Sequence, residues 1–133
     1  MGGSSFLLEE EDFIDILGLT EKEKTVLDDI RAGKITGREL REKTWLIDAV
    51  NSLIEKGVTV GLRIETDIVI LHYEINRLYV ESGKVCAEIK MSDWTEAEND
   101  AYLLRRNGKK VYIDYETDKP NIIVELDDSM ILY

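Results

Sequence analysis

Trp45-Leu46-Ile47-Asp48-Ala49-Val50-Asn51-Ser52-Leu53-Ile54-Glu55-Lys56-Gly57-Val58-Thr59-Val60-Gly61-Leu62-Arg63-Ile64 is the stretch on which the fold turns, because its hydrophobic period changes partway along. From Trp45 to Lys56 the apolar residues Leu46, Val50, Leu53 and Ile54 fall on one face of a helix. Gly57 closes that helix. Beyond it, Val58, Val60, Leu62 and Ile64 alternate with small or polar residues, and a period of two belongs to a strand. A helical unit therefore hands over to a sheet, with a seam near Gly57 between residues 1–57 and 58–133 of one compact 133-residue domain.

Upstream, Phe6 to Leu17 spaces Phe6, Phe13, Ile14 and Leu17 as a helix would, and Gly18 stops it. Thr20 followed by Glu23 predicts a capping box, in which hydroxyl and carboxylate each satisfy a free backbone donor. The helix it opens turns Val26, Leu27 and Ile30 inward and ends at Gly33; Thr36 caps another through Lys43, with Leu40 inward. Downstream, Ile68-Val69-Ile70-Leu71 within Asp67 to Glu74 predicts a strand covered on both faces. Arg77 to Glu81 and Lys84 to Met91 form a hairpin across Ser82-Gly83. Ser92 or Asp93 caps a helix carrying Trp94, Ala97, Ala101 and Leu104, and two short alternating strands follow the stop at Asn107-Gly108. The expected class is α+β: an N-terminal helical unit, then a mostly antiparallel sheet with one helix inserted after the fourth strand. The apolar tail Met130 to Tyr133 is expected to pack, against this chain or a second one.

Charge is unevenly spread. The formal net charge is -11, yet Leu19 to Ile64 carries nine bases against eight acids. The first eighteen residues hold five acids and no base, and from Glu65 onward there are 15 acids against 8 bases. Such a surface favours solubility and basic partners. With 44% apolar residues the chain can bury a real core. No apolar run approaches the ~20 residues of a membrane span. The acidic start lacks the basic region of a secretory leader, so a cytoplasmic chain is expected. One cysteine, Cys86, excludes an internal disulfide, and one histidine, His72, leaves no ligand set for structural zinc. The absence of glutamine beside abundant Ile, Glu and Lys resembles the usage of heat-adapted proteins; an engineered chain would share it, and Met1-Gly2-Gly3-Ser4-Ser5 reads like an added tag.

Leu19-Thr20-Glu21-Lys22-Glu23-Lys24, then Val26 to Ile30, then Gly33-Lys34-Ile35-Thr36-Gly37-Arg38-Glu39-Leu40, resembles the opening of a winged helix-turn-helix domain. Glu55-Lys56-Gly57 and the strand after it are similar to the end of that family's recognition helix and the start of its wing. The resemblance spans residues 19–64. It implies nucleic-acid binding through Arg31, Lys34, Arg38, Arg41 and Lys43, which would displace counterions from phosphates. The helix that would enter the major groove departs from the pattern: its polar side carries Asp48, Asn51, Ser52 and Glu55, with neither Arg nor Lys. Only Asn51 is suited to reading a base, as an adenine reader.

Glu88-Ile89-Lys90 on a strand, with Asp67 on an earlier one and a helix after, has the element order of restriction-endonuclease-like nucleases. That resemblance implies Mg²⁺ held by Asp67 and Glu88 and a water steadied by Lys90. The same residues on a solvated strand face would simply pair with their neighbours. His72 sits in an apolar strand with no nucleophile arranged beside it, Cys86 is expected part-exposed on a polar face, and Trp45 and Trp94 are expected at the core or its edge. Arg105, Arg106, Lys109 and Lys110 form a basic knot at a helix end.

The expected function is that of a small acidic, non-enzymatic interaction or regulatory protein binding another protein or itself, with no cofactor. A winged-helix nucleic-acid-binding regulator is the first alternative. A Mg²⁺-dependent nuclease is the second.

Overall fold

The computed structural model describes residues 17–133; the helix expected over residues 6–17 lies, Leu17 apart, outside them. The capping box forms. The Thr20 hydroxyl accepts the Glu23 N–H at 3.1 Å and the Glu23 carboxylate accepts the Thr20 N–H at 2.7 Å, opening α1 (Glu21–Arg31). Thr36 caps α2 (Gly37–Glu42) through the Glu39 N–H, and α3 (Trp45–Glu55) follows at once. Val26, Leu27, Ile30, Leu40, Leu46, Val50 and Leu53 are buried, as their spacing requires.

The strands are β1 (Gly61–Glu65), β2 (Ile70–Glu81), β3 (Lys84–Lys90), β4 (Val111–Asp114), β5 (Asn121–Glu125) and β6 (Ile131–Leu132), with α4 (Trp94–Arg106) between β3 and β4. They form one sheet in the order β4-β5-β3-β2-β1-β6, every neighbouring pair antiparallel. The α+β architecture stands, with helices first and sheet after. One detail is corrected: α4 follows the third strand, not the fourth. The two strands expected over Asp67–Glu74 and Arg77–Glu81 are a single β2, with a bulge between Ile75 and Arg77. The bulge absorbs the slip in apolar phase, so Tyr73, Ile75 and Leu78 all stay on the buried side.

The run Ile68 to Leu71 is not a strand covered on both faces. Asp67 to Val69 forms the β1–β2 turn, held by Thr66, whose hydroxyl accepts the Val69 N–H at 3.1 Å and donates to the Val69 carbonyl at 2.8 Å. Ile68 is left 79% exposed at the tip.

The tail forms the last strand of the sheet, and the segment before α2 covers its outer side. β6 pairs with β1, Leu132 opposite Leu62, and on its far side Leu132 N–H reaches the Ile35 carbonyl and Gly37 N–H the Met130 carbonyl, each at 2.9 Å. Met130 and Leu132 are fully buried, which removes two of the four tail residues from the surface, while Tyr133 stays exposed. Gly61 and Tyr133 exchange backbone bonds of 2.8 and 3.0 Å, and the Tyr133 ring occupies the place a side chain at Gly61 would take. One cluster of buried apolar residues runs from Leu19 to Leu132, drawing on both sides of Gly57.

Candidate functional site

The residues of the nuclease set do not converge. Asp67 lies in the β1–β2 turn, its N–H 3.4 Å from the Asn107 side-chain oxygen. Glu88 stands in mid-β3 opposite Arg77, which donates to it at 3.1 Å, and Lys90 sits at the end of that strand opposite Asn121. The length of β2 between Ile70 and Arg77, at ~3.3 Å per residue, sets Asp67 and Glu88 roughly 20 Å apart. One cation cannot bridge that span. Among the described residues no three His, Cys, Asp or Glu side chains converge as a metal site.

The basic cluster is largely occupied. Arg38 donates to Glu42 at 3.0 Å, and that bond raises the guanidinium above its ordinary pKa. Arg41 grips Asp128 with both terminal nitrogens, and Lys43 lies 3.3 Å from Glu39. Arg31 and Lys34 are exposed at the end of α1 and beyond it. Exposed pairs of this kind are weak and can exchange partners, yet Arg38, Arg41 and Lys43 each already have a carboxylate partner. The basic knot is likewise structural in the main: Arg105 donates twice to the Val111 carbonyl, Lys109 binds Asp127 at 2.8 Å, and Arg106 reaches the Tyr102 hydroxyl.

Asn51, the one residue suited to reading a base, is committed elsewhere. Its side-chain amide donates to the Leu78 carbonyl and its oxygen accepts the Leu78 N–H, both at 2.8 Å. β1 accompanies β2 only as far as Ile75, whose N–H reaches Val60. Past that point Asn51 imitates the missing strand, closing the β2 edge where its backbone would otherwise go unpaired.

That substitution shapes a groove among the described residues. Leu78 turns its polar backbone groups away from β3 towards Asn51, and in an antiparallel ladder Val80, two residues on, must do the same. No described side chain or loop reaches the Val80 groups. They face a groove of about 610 Å³ whose walls include Trp45, Asp48 and Asn51 from α3 and Tyr79 and Val80 from β2. Trp45 is 46% exposed and Val80 49%, high values for residues of that size. Trp45 was expected at the core or its edge and instead forms a groove wall, with the Lys22 ammonium 4.4 Å above its ring. Asp48 lines the groove, and Glu81 follows Val80 in β2, opposite Lys84; neither draws an ion pair among the described residues.

The remaining candidates are structural. Cys86 is buried, not part-exposed; desolvation pushes its thiol pKa up, away from reactivity. His72 meets the Tyr133 ring edge-on at 5.2 Å, and Trp94 stacks on Tyr115 at 5.5 Å. Glu23 is buried yet ionised: Lys56 donates to it at 2.6 Å, Ser52 donates to its other oxygen, and these bonds lower its pKa to about 2.

The open edge at Val80 was hidden in the sequence, because Asn51 and Leu78 are far apart along the chain. Its only trace there is an apolar residue at the start of α3 that fits neither buried stripe nor cap. No family model, no curated protein and no solved structure matches the chain.

Proposed function

We propose that this chain is a small, acidic, non-enzymatic interaction module that recognises another protein through the groove between α3 and the end of β2. The observation that carries the reading is the outward backbone of Val80, reached by no other described residue, set beside the half-exposed Trp45. Aromatic residues framed by polar groups are the usual anchors of protein recognition. The charge supports the same reading, since a net -11 repels polyanions and draws basic partners. The winged-helix alternative keeps three helices followed by a hairpin but has lost its base reader to Leu78. Its cations Arg38, Arg41 and Lys43 are held by carboxylates.

Site-specific photo-crosslinking tests the proposal. A crosslinker at groove-lining Thr44, and separately at exposed Thr117 as a control, is exposed to a cell extract. The expected result is a discrete adduct at position 44 alone, competed away by excess unlabelled protein but not by its Trp45→Ala variant. Adducts identical at both positions, or competition by the variant, would overturn it.

A further inference from the structure

We infer that the occupant of this groove is an extended, basic segment of a partner protein, laid along β2 so that one of its residues pairs with Val80. This rests on the groove reading above and adds the chemistry of the ligand. Three features of the surface select it. The Val80 N–H and C=O form a donor–acceptor pair with strand spacing, which an extended backbone satisfies and a helix, its own groups used internally, does not. Asn51 closes the edge at Leu78 and the Ser82-Gly83 turn, with both residues at positive φ, ends it beyond Glu81. The window is therefore a single residue pair, about two backbone hydrogen bonds. An apolar side chain next to the paired residue would lie against Trp45.

Charge then decides between a foreign segment and a second copy of this chain. Asp48 lines the groove and Glu81 adjoins Val80 at the end of β2, and among the described residues neither carboxylate is in an ion pair. An edge-to-edge dimer centred on Val80 would bring each copy's pair against its twin's, and like charges brought together are unfavourable. A segment with Lys or Arg on either side of its paired residue turns both carboxylates into contacts. With only two backbone bonds available, these charges and the Trp45 contact carry most of the selectivity.

The test selects binders to the intact chain from a phage-displayed library of random decapeptides, then resynthesises the best with a single N-methyl group moved along its backbone. The expected peptides carry an apolar residue between Lys or Arg residues. The double variant Asp48→Lys/Glu81→Lys should weaken them at least tenfold, and so should one central N-methyl group while its neighbours are tolerated. The Leu78 to Glu81 amides should show the largest NMR shifts on binding.

Selected peptides that lose affinity in Trp45→Ala but are acidic, or indifferent to N-methylation, would overturn the basic-strand inference and leave the groove reading standing. Peptides unaffected by Trp45→Ala, or no enrichment at all, would overturn both. A concentration-dependent dimer abolished by Val80→Lys would identify a second copy as the occupant, against the inference.

Discussion

Glu23 shows how much one side chain can hold. Its carboxylate closes the α1 capping box, accepts from Lys56 and Ser52, and ties the start of α1 to the end of α3. Its pKa is depressed from 4.5 to about 2, chiefly by the Lys56 bond. The stabilisation is therefore present above pH 4.5 and is lost as pH falls towards 2. Glu23→Gln should cost roughly 1–2 kcal/mol at pH 7 and flatten that acid limb; urea denaturation from pH 7 to pH 2 measures both. At the same scale, Asn51→Ala strips the Leu78 N–H and C=O of their partner in a part-buried setting. A loss of about 1–3 kcal/mol is expected, with faster hydrogen exchange at the Leu78 amide. By contrast, Arg41→Ala removes an exposed ion pair to Asp128 and should change stability by less than ~1 kcal/mol.

Among the elements, β6 and β2 diverge most from what their residues suggest locally. Two residues make a strand of β6 only because β1 and Ile35–Gly37 flank it. Gly61 is essential to that seating, since a Cβ there would collide with the Tyr133 ring. Gly61→Ala should cost about 1–3 kcal/mol by overpacking and release exchange protection at Leu132; Tyr133→Ala in the same chain should restore much of both. Local signals were sound where an element depends on its own residues. The Thr20, Thr36 and Asp93 caps, the stops at Gly33 and Gly57, and the Ser82-Gly83 turn all stand where the pattern puts them. They failed at β2, because a bulge and a turn are indistinguishable as breaks in an alternating pattern: each simply shifts the phase. The candidate groove was less legible still, since half of it comes from α3 and half from the far end of β2, with β1 between them in the chain.

For the whole molecule, the shared apolar cluster across Gly57 sets the expectation. Helical unit and sheet should unfold together, so tryptophan fluorescence and far-UV circular dichroism should give coincident urea transitions; separated midpoints would show two units. Net charge acts at this scale too. A labelled DNA duplex titrated at low salt should show no micromolar binding, because a protein of net charge -11 with Arg38, Arg41 and Lys43 in ion pairs releases few counterions. Steeply salt-dependent binding would return the winged-helix reading to first place.

The order and type of most elements follow from local sequence, because caps, stops and periodicity act between residues one to four apart, within reach of a single turn or pleat. Which strand edge stays open, where the tail goes and which charges are spent follow from the folded arrangement. Those outcomes depend on pairs such as Asn51 with Leu78 and Arg41 with Asp128, 27 and 87 positions apart. Nothing in either partner's neighbourhood announces the other, since folding alone brings them within hydrogen-bonding distance.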